Sequence, residues 1–371
     1  LIIGLVINLL GLFYFKYAYF LTEAFNAQFG TDYNVVNHFA VLGNDWFGKG
    51  SFVDKILVPV GVSFFTFHNI SYLVDISRKE IKASTNFFDY AFYVTYFPHL
   101  ILGPIVRARD FIPQIHQPFE LNKLAFSGAL WMIGKGLLKK LVFADYIAVH
   151  FIDKVLDAPE TYPGFVGVLA MFAYSLQIYA DFSGYTDMAI GVSRLMGFTL
   201  LENFNSPYKS VSVADFWRRW HKSLGAWLRD YLYIPLGGNQ KGSIGTAIMT
   251  AVILGFLYFI TGWVELWYIY GGLLGLYLIL WQLWPAFKTF AVRDLNLLIT
   301  MIVGGLWHGA SQNFVIWGAM NGAALVLYNY WKRISPYQNS TSWLIRGWRI
   351  FFTLSFITFT RIWFRLSEPD Q

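Results

Sequence analysis

Cysteine is missing from this 371-residue chain. That excludes disulfides, a thiolate nucleophile and any cysteine-built metal site. Charge is sparse as well. Asp, Glu, Lys and Arg supply 13% of the residues, where a soluble domain carries about 25%. Signature loops are also lacking. Neither a phosphate-cradling P-loop nor the glycine pattern of dinucleotide binders occurs, and no G-x-S-x-G elbow supports a serine hydrolase. No H-E-x-x-H or H-x-x-x-H spacing sets two histidines on one helix face, so no metal is expected. Internal repeats and low-complexity tracts are absent too, and with them the paired inverted halves of many transporters.

What remains is apolar. Hydrophobic residues make up 56% and aromatic residues 20%, and the mean hydropathy is +0.46. This is the composition of a multi-pass membrane protein. The 28 Lys and Arg exceed the 22 Asp and Glu, for a formal charge of +6. In a membrane protein that excess suits cytoplasmic loops and anionic lipid headgroups, and nucleic acid is not an expected partner. Leu1 already lies inside an apolar run and Gln371 closely follows another, so a piece of a longer protein is expected.

One stretch stands out. Leu298 to Trp317 reads LITMIVGGLWHGASQNFVIW, apolar enough for a bilayer yet carrying His308. Ionisable residues at membrane depth are costly and mark functional sites by default. Gly304, Gly305 and Gly309 clear space around the ring for a substrate or another helix. A histidine hydrogen-bonded to a neighbouring helix is the competing reading. A second site reinforces the functional one. In DFWRRWHKSLGAWLRDYLYIPLGGN, from Asp215 to Asn239, His221 sits among Arg218, Arg219, Lys222, Arg229 and Asp230, interleaved with Trp217 and other aromatic residues. The segment is too charged to span lipid and too aromatic for a free loop. It predicts an interfacial or re-entrant helix lining a cavity, with Trp217 and His221 on one face. Read blandly, it is a basic membrane anchor.

Taken in order, Leu1 to Leu21 predicts a span, and Thr22 to Asp54 an extramembrane loop with a short helix. Lys55 to Ile76 predicts a helix interrupted near Pro59 and Gly61. Phe87 to Ile105 should break at Pro98 and Pro104, leaving His99 and Arg107 near an interface. Lys123 to Ile152 holds one helix with Lys139 and Lys140 inside. Pro163 to Gly197 is a long apolar stretch that should be interrupted by DFSGYTD, whose Asp181 and Asp187 could cap a helix and pair with Arg194. Gly245 to Leu283 adds two spans, Arg293 to Trp331 two half-helices meeting near Gly309, and Trp343 to Phe364 the last span. The expectation is a single all-α membrane domain over residues 1–371 with roughly eight to ten membrane segments.

The chemistry left to these residues is general base catalysis by a neutral histidine. A hydroxyl would attack an activated acyl group while the basic cluster holds an anionic donor. A proton-coupled transporter using the same intramembrane His and Asp residues is the alternative from another class.

The stretch NFNSPYKSVSVADFWRRWHKSLGAWLRDYLYIPLGGN, followed by GGLWHGAS, resembles the membrane-bound O-acyltransferase family. Within it the chain looks most like the alginate O-acetyltransferase membrane subunit and relatives that acetylate cellulose or peptidoglycan. LVPVGVSFFTFHNISYLVDISRKEI, YFPHLILGPIVRARDFIPQI and LQIYADFSGYTDMAIGVSRLMGF carry the resemblance along nearly the whole chain. It implies a ring of transmembrane and re-entrant helices around a central tunnel, with His308 as catalytic residue and His221 as a second active-site residue. It further implies acetyl-CoA as donor substrate with no bound cofactor, an extracytoplasmic transferase partner, a polysaccharide acceptor, and residence in the bacterial cytoplasmic membrane. Trp217, Arg218, Arg219, Arg229, Asp230 and Asp181 are the expected substrate- and donor-binding residues. D-Alanyl transfer to teichoic acid from a carrier-protein thioester is the alternative within the family. Ser243 to Val292 stands as an apparent addition to the family pattern.

Overall fold

A computed structural model describes residues 1–240, 243–263 and 265–366. It is helical throughout, with no strand among the described residues. The first helix, α1 (Ile2–Phe29), turns its apolar side chains outward; Ile2 and Ile3 are 76% and 77% exposed. Such exposure fits lipid and would be ruinous in water. After α2 (His38–Phe47), Gly61 takes a left-handed conformation and starts α3 (Val62–Ser77). A side chain at Gly61 would strike Leu100.

The proline breaks fall where expected. α4 (Phe87–Thr95) ends before the short α5 (Phe97–Leu100), and α6 (Ala108–Ile115) follows. His99 lies fully buried in the protein, its Nε2 3.0 Å from the Tyr93 carbonyl and its ring 4.4 Å from that of His68. The aromatic cluster of Tyr93, Tyr96 and Phe111 closes over it.

α7 (Lys123–Leu138) runs on through two π-helical stretches, 139–146 and 148–152, into α8 (Asp153–Leu156). Its long neighbour α9 (Gly164–Leu195) is unbroken, against the expectation that DFSGYTD would interrupt it. The carboxylates do not disturb α9 because partners reach them from the facing helix. Lys139 and Lys135 lie 2.7 and 3.2 Å from Asp187, and Lys140 lies 2.6 Å from Asp181. The lysines take the place expected of Arg194. Gly136 and Gly184 let the two backbones touch, since a Cβ on Gly184 would meet the Gly136 carbonyl at 2.8 Å. Small residues at such crossings are the usual means of tight packing in a membrane.

Two short helices, α10 (Val213–Arg219) and α11 (Lys222–Leu228), precede the long ones: α12 (Ile244–Thr261), α13 (Glu265–Leu283), α14 (Pro285–His308), α15 (Gln312–Ile334) and α16 (Trp343–Arg365). Among the described residues, α1, α9 and α12 are long and apolar enough to cross a membrane on composition alone. α14, α15 and α16 are as long but carry polar groups. Of these, Thr300, His308, Asn321, Thr360 and Arg361 face inward, where α3, α9, α10, α11, α14, α15 and α16 surround two adjoining cavities.

Candidate functional site

α14 stops at His308. Gly309 is extended and Ser311 caps α15 through the amide of Asn313 at 3.2 Å, so the chain turns back in mid-molecule. A helix ending there leaves carbonyls unpaired. α1 supplies the donors: Lys16 bonds the Trp307 carbonyl, and Tyr17 bonds that of Leu306 at 2.5 Å. The glycines expected to clear space divide the work. Gly305 faces the backbone of Phe314 and Gly318, and Gly309 faces the Phe314 ring, so both serve helix packing. Gly304 borders a cavity instead.

The His308 ring is walled by Trp317 and Phe364, each at 5.2 Å, and by Trp307 at 4.8 Å. Among the described residues, none hydrogen-bonds either ring nitrogen. The ring is packed, and its polar atoms are left for something else.

His221 is not on one helix with Trp217, as its spacing suggested. α10 ends at Arg219, and His221 adopts φ 44°, ψ 55°, in the left-handed region. That conformation costs a non-glycine residue roughly 1–2 kcal/mol. Asn203 offsets it. Its carbonyl oxygen Oδ1 accepts from the Ser223 amide (3.1 Å), the Ser223 hydroxyl (2.9 Å) and His221 Nδ1 (3.1 Å), while its main-chain carbonyl accepts from Lys222 at 2.9 Å. Each such bond is worth about 1 kcal/mol net, so the kink is held. Because the Ser223 amide can only donate, the atom facing His221 is the amide oxygen. His221 therefore carries its proton on Nδ1 and keeps a lone pair on Nε2. Nε2 is buried and has no hydrogen-bond partner.

The two cavities meet at these residues. The larger, about 490 Å³, is lined by Arg218, Lys222 and Arg229 together with Thr300 and Gly304. The smaller, about 280 Å³, lies among α9, α15 and α16. Trp217, His221, His308 and Trp317 border both. An aromatic column, Trp227–Phe67–Trp307, with ring spacings of 4.1 and 5.2 Å, braces the wall from α3.

The remaining expected site residues fall in different places. Arg218 and Arg229 border the larger cavity. Arg219 is 3.0 Å from Asp215 and borders neither. Asp230 also borders neither; it is bonded by Arg107 and by Arg229 at 2.7 Å and acts as a clamp between segments. Burial raises its pKa, but the bonds from Arg229 and Arg107 outweigh this and leave the carboxyl below its usual range. Asp181 borders the smaller cavity while held by Lys140. Several groups of the site were not singled out from sequence: Asn203, Lys16, Tyr17, Gln177, Asn321 and Arg361. Lys16 alone had a signal, as a lysine in the middle of an apolar span.

A sequence model described as MBOAT, the membrane-bound O-acyltransferase family, matches residues 61–287. The match takes in most of Ser243 to Val292 and stops short of His308. A protein named "Probable alginate O-acetylase AlgI" in Azotobacter vinelandii is 39% identical over 88% of this chain and 53% of its own length. The peptidoglycan O-acetyltransferase of Helicobacter pylori is 31% identical over 100% of this chain and 62% of its own. The teichoic acid D-alanyltransferase of Bacillus subtilis is 26% identical over 74% and 60%. The chain thus spans between half and two thirds of the length of these relatives.

Proposed function

Since the chain belongs to the membrane-bound O-acyltransferase family, we propose that it moves an acetyl group from cytoplasmic acetyl-CoA to a hydroxyl on an extracytoplasmic bacterial polymer. The observation that carries this reading is the pair of cavities sharing His221 and His308 across one wall. The larger is rimmed by three basic groups, Lys222 together with Arg218 and Arg229, the last two also paired with Asp215 and Asp230. It suits the phosphates of coenzyme A, which lipid excludes.

Sidedness follows from charge. Arg78 bonds the Asp230 carbonyl, Arg293 reaches Tyr330, and Arg349 bonds the Val211 carbonyl, so these basic helix ends gather with the Arg218 cluster on one side. The other side holds the acidic Asp153 and Asp157, which pair with Arg365. An excess of Arg and Lys marks the cytoplasmic face. On this reading the larger cavity opens to the cytoplasm of a bacterial inner-membrane protein.

At the shared wall, a hydroxyl oxygen attacks the thioester carbonyl and His308 takes its proton. Collapse of the adduct expels the thiolate, which recovers that proton and leaves as free CoA. His221, with its lone pair on Nε2, steadies the attacking hydroxyl. The attacking hydroxyl belongs to an extracytoplasmic partner transferase; a polymer hydroxyl then attacks that ester, taking the acetyl group and releasing the partner's hydroxyl with its proton. Acetyl is favoured over D-alanyl because the O-acetylating relatives match more closely and more fully.

The test is direct. Purified protein, given labelled acetyl-CoA and a polymer acceptor with its partner, should form alkali-labile ester. The protein with His308→Ala should not, at unchanged abundance. Transfer above half of the unsubstituted rate by that variant would remove His308 from the mechanism.

A further inference from the structure

The smaller cavity is lined by polar atoms that have nothing to bond. Buried without hydrogen-bond partners are the indole nitrogens of Trp217 and Trp307, Gln177 Oε1, Asn321 Oδ1, His221 Nε2 and Nη1 of Arg361. All six residues border this one cavity. Buried polar groups are nearly always satisfied, so such a concentration is the mark of a ligand site.

Arg361 is the decisive member. It is 5% exposed and makes no ion pair with a carboxylate among the described residues. A buried guanidinium with no carboxylate partner is expensive at membrane depth and is kept where it acts. Its position is fixed: the group lies 4.5 Å from the centre of the Trp220 ring, and Trp220 directly precedes His221. On the same face of α16, one turn on, Phe364 packs 5.2 Å from His308. The cation is therefore held against the Trp220 and Tyr208 rings, and its neighbours Trp220 and Phe364 adjoin His221 and His308.

We propose that Arg361 is a catalytic residue whose guanidinium binds the oxyanion formed on the acyl carbonyl during transfer. This rests on the acyltransfer reading above. When the hydroxyl oxygen bonds to the carbonyl carbon, the C=O π pair moves onto oxygen, and His308 holds the hydroxyl's proton. Nη1 donates to that oxygen, with the neighbouring indole N–H groups as further donors. When the adduct collapses, the pair returns to form the ester carbonyl, the C–S bond breaks, and the thiolate takes the proton from His308. At about 280 Å³ the cavity is small for a whole ligand, and suits an acyl group with the attacking hydroxyl. Donors aimed at developing charge in a water-excluded site contribute mainly to kcat.

The experiment compares Arg361→Gln and Arg361→Lys with unsubstituted protein. It measures kcat, the KM of donor and acceptor, thermal stability, and binding of CoA and of trifluoroacetonyl-CoA, whose hydrated ketone imitates the tetrahedral adduct. The Gln variant should lose about 10²–10³-fold in kcat with both KM values nearly unchanged. Its affinity for the ketone should fall while that for CoA holds, and the Lys variant should be intermediate. A raised acceptor KM at preserved kcat overturns the proposal, making Arg361 an anchor for an acceptor carboxylate. Failure of both variants to fold also overturns it, making the cation structural. If unsubstituted protein transfers no acetyl group, the reading of the whole reaction fails instead.

Discussion

His308 and His221 do similar chemistry from unlike settings. His308 is held by ring packing, with both nitrogens free of described partners, whereas His221 is oriented by Asn203. His308→Ala should lower acyl transfer by about 10²–10⁴-fold, the usual cost of losing a general base, with little loss of folded protein. Asn203→Ala should act through His221. Losing its acceptor frees the other tautomer, and a drop on the order of tenfold in kcat is expected, shared by His221→Ala and not added to it. Additive losses in the double variant would show that Asn203 acts elsewhere. Both histidines were legible in the sequence because a titratable ring in an apolar or aromatic run has no cheap explanation. Asn203 and Arg361 were not. An asparagine ahead of a turn and an arginine near a helix end are ordinary, and only the tertiary fold shows what they touch. Arg218 and Arg219 show the limit from the other side. Adjacent in sequence, both reach Asp215, at 3.5 and 3.0 Å, yet of the two only Arg218 borders a cavity.

The elements were easier to read than their interruptions. Proline and glycine marked the starts of α3 and α5 and the turn after His308, because those residues act through the backbone itself. Two breaks were misread. DFSGYTD reads as an interruption, yet α9 continues because Lys135, Lys139 and Lys140 arrive from the facing helix. RRWH reads as helix, yet the chain kinks at His221 because Asn203 outbids the helical bond. α1 was read as a plain span, although Lys16 and Tyr17 cap the carbonyls at the end of α14. Joint replacement by Lys16→Met and Tyr17→Phe should loosen the His308 turn and lower kcat. Membrane abundance should stay normal, as blotting beside an activity assay will show. Gly305→Val tests the packing of the same turn. Its side chain would run into the Phe314 and Gly318 backbone. Overpacking of this sort costs typically 1–3 kcal/mol, read as a lowered unfolding temperature in detergent.

At the scale of the molecule, the fold separates two kinds of space. One cavity is basic and gathers with the Arg- and Lys-bearing helix ends; the other is lined by unpaired polar atoms. The class of fold was legible from composition, but the partition was not. It depends on four side chains from α10, the kink and α14–α15 meeting at one wall. If the wall is where the acyl group crosses, donor and product belong to opposite faces. The measurement that tests this most directly uses sealed inside-out vesicles containing the protein, its partner and the polymer acceptor in the lumen. Labelled acetyl-CoA is added only outside, on the cytoplasmic face, and ester-linked label is measured on luminal polymer. The account predicts label with the unsubstituted protein and none with His308→Ala. Luminal label that survives His308→Ala, or that forms only when acetyl-CoA is loaded inside, would contradict it.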